Sequence, residues 1–335
     1  MLATTHRIHL SGSELAFDCE AGDTVLCAAL RSSLGFPYEC SAGGCGSCKF
    51  ELVSGDMREL WSEAPGLRAG DRARSRRLAC QSVPVSDCEI KVRLEPKFAP
   101  AITPRRFVAT LTGVREVTHD MAEFKFRGEG IATFLPGQYA LVSLGAESHR
   151  RAYSMSNLPN GDGTWKFMVR RVPGGRVSAM LFDRLRPGDT VEIDGPLGMA
   201  HWRPEVGRPI VCVGGGAGLA PLVSILDACL AARRPAWLFF GGRGPRDIPD
   251  IARLLNTREG LEVRTAVSVP ALARDAAWPG AVCMVHELLA RELPHAPAAG
   301  EYYLAGPPPM IEALVRLLLV DQRVPADQVH YDRFF

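Results

Sequence analysis

Cysteine is crowded into one short stretch of this chain. Three of its ten cysteines stand in ECSAGGCGSC, where Cys40, Cys45 and Cys48 give the spacing C-x4-C-x2-C, and Cys80 follows after a gap of thirty-one residues. Four thiolates at this spacing match the ligand set of a two-iron, two-sulfide (2Fe-2S) cluster. Gly43, Gly44 and Gly46 let the backbone curl around such a group where a Cβ would collide, and their amides can point at the sulfurs. Three other chemistries compete. Cys45-Gly-Ser-Cys48 alone reads as a redox dithiol, but that motif belongs at a helix start and leaves Cys40 idle. A structural zinc site usually shows two Cys-x2-Cys arms, and Cys80 has no partner at that spacing. Disulfides suit an oxidising compartment, whereas no secretory leader pattern precedes the loop, which favours a reducing, cytoplasmic location. Cys19, Cys27, Cys88, Cys212, Cys229 and Cys283 lie in apolar or strand-like contexts and read as small hydrophobes.

Other motifs suit phosphates and flat rings. RAYS, Arg151–Ser154, offers a fork of guanidinium donors beside an amphipathic phenol. Gly175-x-x-Ser178 opens a predicted helix, whose first amides suit a pyrophosphate. GGGAGLAP, Gly214–Pro221, joins an apolar strand to a helix, with Leu219 where the GxGxxG fingerprint has its last glycine. AGPPPM, Ala305–Met310, follows another strand, and the chain ends in HYDRFF. Each motif also has a bland explanation, such as an edge-strand arginine, an N-cap serine or a docked C-terminus.

In this order the motifs resemble the ferredoxin–NADP reductase superfamily. Nearly the whole chain is similar to the NADH-dependent reductase components of bacterial multicomponent oxygenases. FPYECSAGGCGSCK, LWSEAPGL and HYDRFF most resemble the reductases of toluene and benzene monooxygenases. The resemblance implies a 2Fe-2S cluster on Cys40, Cys45, Cys48 and Cys80, with FAD and NADH as the other cofactors. It implies that Arg151 pairs with the flavin pyrophosphate, Tyr153 lies against the isoalloxazine or ribityl, and Ser154 approaches N5. Gly175 and Ser178 would sit at the pyrophosphate. Phe334, two residues beyond Asp332, would cover the flavin ring, with Phe335 as the alternative; Ser154, Phe334 and Asp332 are the candidate catalytic residues. Gly214, Gly215, Gly216, Gly218 and Pro221 would receive the pyridine nucleotide, with Gly306 and Pro307 near the nicotinamide. Ala305 replaces the cysteine usual in the family, which removes any thiol role there.

The implied activity is oxidation of NADH by hydride transfer to FAD, followed by passage of single electrons through the cluster. The acceptor would be a Rieske-type ferredoxin or an oxygenase hydroxylase component, in aromatic hydrocarbon catabolism. The near alternative is the reductase of a ring-hydroxylating dioxygenase. An alternative from another class is a non-enzymatic metal- or thiol-binding interaction protein whose glycine loops are structural. Arg243 and Arg246, after the strand AWLFFGG, leave a 2′-phosphate and hence NADPH open, while the resemblance favours NADH.

Three architectures must position these residues. Residues 1–95 hold a candidate hairpin (RIHL, SGS, ELAFDCE), a helical TVLCAALRSS, and the strands FELVSG and EIKVRL, an α+β order that suits a plant-type ferredoxin (β-grasp) domain. Residues 96–104, with three prolines, read as a linker. Residues 105–206 carry short strands separated by turns and a helix around VSAMLFDRL, which predicts an antiparallel FAD-binding β-barrel. Residues 207–335 alternate strand and helix, including a helix over DIARLLN, and predict an α/β parallel-sheet nucleotide-binding domain with a C-terminal flavin-covering tail. The net charge of +2 offers no general attraction for nucleic acid or an anionic membrane. DRARSRR, Asp71–Arg77, is either a solvated face or a docking patch for a redox partner. The charge-free run Ile210–Leu226 is interrupted by glycines and Pro221 and is shorter than the roughly 20 residues of a span, so no membrane segment is expected.

Overall fold

The computed structural model describes residues 4–144, 150–256, 259–293 and 296–335. The chain forms two compact units. One takes the chain up to Arg106 together with Asp194–Leu197 and Phe335; the other takes Phe107–Ile193 and Gly198–Phe334.

In the first unit, five strands lie in the order Ala16–Glu20, Thr5–Leu10, Cys88–Lys91, Lys49–Ser54 and Arg76–Leu78. Thr5–Leu10 pairs antiparallel with Ala16–Glu20 and parallel with Cys88–Lys91, so the sheet is mixed. The helix Val25–Arg31 starts where the Thr24 hydroxyl accepts from the Cys27 amide at 3.3 Å, and Val25 to Leu30 are all buried. A short ladder, Met57–Glu59 with Ser82–Pro84, brackets the segment between them. Buried Asp23 and Asp194 are matched by Arg31 and Arg106, with Arg31–Asp194 at 2.8 Å and Arg106–Asp23 at 2.7 Å. Two carboxylates against two guanidiniums is the balance that burial of such charges requires.

The second unit contains most of a barrel and the whole of an α/β sheet. The barrel sheet runs Arg151–Ser154, Tyr139–Ser143, Thr190–Leu197, Arg105–Thr118, Met121–Gly128 and Thr164–Arg170. An antiparallel bridge from Met155 to Phe167 joins its two ends. Inward residues such as Phe124, Phe126, Trp165, Phe167 and Ile193 fill the interior. The helix predicted over VSAMLFDRL forms as Arg176–Ala179 and then widens into a π-turn over Met180–Arg184.

Six parallel strands make the α/β sheet, ordered Ala281–Val282, Leu261–Val267, Ala236–Gly242, Ile210–Gly215, Glu301–Gly306 and Val329–Arg333. Ile210–Gly215 is buried along its whole length because apolar clusters cover both faces. Helix Leu219–Ala231 packs into one cluster, and Val285–Glu292 and Pro308–Val315 into the other.

Two expectations change. DIARLLN forms only a single 3-10 turn, Ile251–Arg253, because Asp227 holds the Asn256 amide at 2.8 Å and its side chain at 2.6 Å, ending the segment before a helix can propagate. The predicted tail is mostly a strand: Val329–Arg333 pairs with Glu301–Gly306, which leaves only Phe334 and Phe335 beyond the sheet. Among the described residues no helix is long and apolar enough to cross a membrane; Ile210–Leu226 divides into a strand and a helix.

Candidate cluster, flavin and nucleotide sites

In the first unit the fold brings the four predicted cysteine ligands together as two pairs. Cys48 Sγ lies 3.4 Å from Cys80 Sγ, and Cys45 shares a hydrogen bond with Cys40. Among the described residues, the sets of three or more ligand atoms lying within 4.8 Å of one another are Asp23–Cys27–Asp194 and His119–Asp120–Asp247, and no three of the four cysteines make such a set. A tetrahedral zinc cage would bring all four sulfurs that close, whereas a binuclear cluster takes two on each iron. The arrangement therefore fits the two-iron group. Amides point at the sulfurs as well: Ala42 and Cys45 donate to Cys40 Sγ and Ser47 donates to Cys45 Sγ, each at 3.4 Å. Gln81, with no signal in the sequence, adds its side-chain amide to Cys80 Sγ at 3.7 Å.

Electrostatics give the same reading. The hydrogen bond from Cys40 pulls the Cys45 thiol down to about 6, and Cys40, left holding the proton, moves up. Contact with Cys48 and burial push Cys80 up. Four neighbouring thiols, three of them buried, resist joint ionisation, so a site of this kind is complete only with a cationic core among them. Gly46 sits at φ +78°, and a Cβ there would come within 2.6 Å of the Gly66 carbonyl oxygen.

In the barrel, Arg151 to Ser154 form the strand opposite Tyr139–Ser143, with Tyr153 facing Ala140 and Ser154 facing Tyr139. Arg151 is exposed and makes no ion pair among the described residues. Tyr153 packs against the barrel core, where burial pushes its phenol up to about 12, and Ser154 is buried. The turn before the helix is tied by Ser178, whose hydroxyl lies 3.1 Å from the Gly175 carbonyl and 3.2 Å from the Val172 amide. A cation that makes no ion pair among the described residues, a flat phenol and a compact turn are a donor set that fits a dinucleotide flavin.

The nucleotide crevice follows from strand order. Strand order reverses between the parallel neighbours Ile210–Gly215 and Glu301–Gly306, and ligands bind at such switch points beyond the strands' carboxyl ends. Gly215 and Gly306 end these two strands. At Gly218 a Cβ would collide with the Ala305 carbonyl oxygen, so this close approach admits only glycine. Pro221 is buried in the first turn of the following helix. A cavity of about 350 Å³ opens here, lined by Gly215, Gly216, Pro307 and Met310. Asp332 is buried beside Ala305, and the Phe334 amide donates to the Gly306 carbonyl at 3.0 Å. Phe335 lies elsewhere: it belongs to the first unit, where its ring occupies the space a Cβ on Gly44 would need.

The sequence reading missed several lining residues. Asp120, in the turn between Arg105–Thr118 and Met121–Gly128, and Arg170, at the end of Thr164–Arg170, reach the cavity and pair at 2.6 Å, and Arg170 outweighs the burial that would raise the Asp120 carboxyl, leaving it below its usual range. Asp247 Oδ2 accepts from the amides of Arg243 at 3.0 Å and Gly244 at 2.9 Å, fixing the loop after Ala236–Gly242. None of these belongs to a contiguous motif.

Comparison with known proteins agrees with this geometry. Residues 8–85 match the family described as 2Fe-2S iron-sulfur cluster binding domain, residues 108–202 the oxidoreductase FAD-binding domain, and residues 212–316 the oxidoreductase NAD-binding domain. A ferredoxin–NAD(P)(+) reductase of Metapseudomonas resinovorans is 42% identical over 95% of this chain and 96% of that protein. The xylene/toluene monooxygenase electron transfer component of Pseudomonas putida is 36% identical over 98% of this chain and 93% of its own length. A solved structure, a ferredoxin reductase in carbazole 1,9a-dioxygenase, superposes over 100% of both chains with a TM-score of 0.93 at 39% identity. A thiol cage paired two by two, a closed barrel and a glycine-lined crevice thus recur, in this order, in a chain that belongs to the flavin- and 2Fe-2S-containing ferredoxin–NAD(P)(+) reductase family.

Proposed function

We propose that the chain is the reductase component of a multicomponent aromatic monooxygenase, taking electrons from NADH and delivering them singly to a Rieske-type ferredoxin or to the hydroxylase itself. The observation that supports this most directly is the coexistence of a nucleotide crevice and a two-by-two thiol cage in one chain, a two-electron entry and a one-electron exit. When bound, FAD supplies the step that links a two-electron donor to a one-electron acceptor.

In this reading the chain's own residues bind and orient. Cys40, Cys45, Cys48 and Cys80 hold the cluster, and the amides of Ala42, Cys45 and Ser47 stabilise negative charge on its sulfurs. Arg151 neutralises the flavin pyrophosphate, Gly175 and Ser178 shape the turn beneath it, and Tyr153 and Ser154 line the ring. Phe334, held through its amide on Gly306, covers the ring until the nicotinamide arrives. Gly214, Gly215, Gly216, Gly218, Pro221, Gly306 and Pro307 leave room for the nucleotide, while Asp332 buttresses the nicotinamide end. The domain boundaries proposed are residues 1–95, 105–206 and 207–335, with 96–104 as the linker.

The high structural similarity to a carbazole dioxygenase ferredoxin reductase favours a second reading, service to a ring-hydroxylating dioxygenase. The test is the visible spectrum with iron, sulfide and flavin assays, before and after anaerobic NADH. Flavin and iron–sulfur bands that bleach together support the electron path; protein that holds zinc and no flavin sinks it. Turnover with a monooxygenase partner set against turnover with a dioxygenase partner separates the two readings.

A further inference from the structure

The exposed face beside the cluster loop has a charge pattern and an apolar centre that the proposed electron path leaves unused. Between Arg58 and Arg77 six arginines stand against Glu59, Glu63 and Asp71, a local net charge of +3 in a chain whose total is +2. Part of this charge is committed. Glu59 holds Arg72 at 2.9 Å and Arg77 at 3.0 Å, and Asp71 holds Lys49 at 2.8 Å and Arg76 at 3.3 Å. Each acid is shared by two cations, so each group keeps one positive charge in excess. Arg58, Arg68 and Arg74 are exposed and make no ion pair among the described residues. Within the predicted patch Asp71–Arg77, Arg72, Arg76 and Arg77 are thus bridged, while Arg74 inside it and Arg58 and Arg68 before it make no ion pair among the described residues.

Between Arg58 and Arg68 lie Leu60 and Trp61, which are 43% and 44% exposed. The Trp61 ring rests on the cysteine loop, 3.2 Å from where a Cβ on Gly43 would stand, and Ala64 makes the same approach. The Gly66 amide donates to the Gly43 carbonyl at 2.9 Å, which pins this segment to the loop between Cys40 and Cys45. An exposed indole in a segment bounded by the exposed Arg58 and Arg68 has the composition of an interface hot spot. Its seat on the cluster loop places any occupant beside the one-electron group.

We infer that Leu60 and Trp61, rimmed by Arg58, Arg68 and Arg74, are the docking face for the electron acceptor, and that the acceptor is an acidic one-electron carrier protein with an apolar spot at its contact centre. The inference rests on the electron-transfer reading above. The rim supplies long-range attraction and orientation, and the indole supplies the desolvated contact that brings the two redox groups together.

The test uses the full holoprotein, a small acidic 2Fe-2S ferredoxin and basic cytochrome c as probes. For the double variant Arg68→Glu/Arg74→Glu, the KM for the acidic ferredoxin should rise at least about tenfold, its dependence on ionic strength should flatten, and reduction of cytochrome c should speed up. Trp61→Ala should slow ferredoxin reduction, and Trp61→Phe should restore most of it. In every variant the rate at which NADH bleaches the protein's own flavin and cluster should stay at the wild-type value. Unchanged ferredoxin kinetics in both Arg68→Glu/Arg74→Glu and Trp61→Ala, with that bleaching intact, would overturn the docking face alone. Slowing of both carriers by the charge reversal would overturn the acidic partner. Failure of NADH to bleach the wild-type cluster would instead overturn the electron-transfer reading on which the face depends.

Discussion

At the scale of single residues, two glycines show how backbone geometry limits chemistry. Gly46 combines a left-handed φ with a Cβ position against the Gly66 carbonyl oxygen, so Gly46→Ala meets both a torsional and a steric penalty. It should destabilise the first unit by about 1–3 kcal/mol and lower iron occupancy, as read by denaturant titration and iron assay. Gly218 has an ordinary φ of −60°, and only space excludes a side chain there. Gly218→Ala should push Ala305 and the following helix apart, cost about 3 kcal/mol of stability and raise the KM for NADH. A variant with wild-type KM would mean that the crevice does not receive the nucleotide at this loop. Both positions lie in motifs visible in the sequence, but the colliding atoms belong to residues 20 and 87 positions away, so only the fold explains why glycine is needed.

At the scale of elements, the loop after Ala236–Gly242 depends on Asp247, which gathers two backbone amides into a turn beside the cavity. Asp247→Ala leaves those amides without their acceptor and should cost about 1–2 kcal/mol of loop order, seen as about a 5- to 30-fold rise in the KM for NADH. The segment after Thr190–Leu197 carries a different sensitivity. Burial lowers the pKa of His201 from its ordinary 6.5, while its Nδ1 lies 3.2 Å from the Trp202 carbonyl oxygen. Below pH 6.5 the unfolded chain takes up a proton that the folded site resists. The unfolded state then binds more protons, and stability falls as pH falls. His201→Asn should remove that slope below pH 6.5, measured by chemical denaturation as the pH is lowered. An unchanged slope would show that another group carries it. The helix and strands of the cysteine-bearing unit were legible as period-3.6 and period-2 patterns. The single turn at Ile251–Arg253 and the strand Val329–Arg333 were not, because a tertiary clamp on Asn256 and an available sheet edge overrode local preference.

For the whole molecule, two units with separate cores imply that cofactor loss is felt locally. The four cysteines belong to the first unit, so removing iron with a chelator should lower the transition of that unit in calorimetry and leave the second in place. A single transition that moves as one would show that the units unfold together. The ligand set, the order of cluster, flavin and nucleotide segments, and the glycine-rich loops can be read from the residues alone. Apart from Cys80 these are contiguous, because a turn around a cluster or a pyrophosphate is built from about ten neighbouring residues. How the thiols pair, that Asp120 and Arg170 reach the nucleotide cavity from the barrel, and which arginines near the cluster meet an acid emerge only in the fold. Those outcomes depend on side chains from distant segments meeting at hydrogen-bond range, and local pattern carries no record of such meetings.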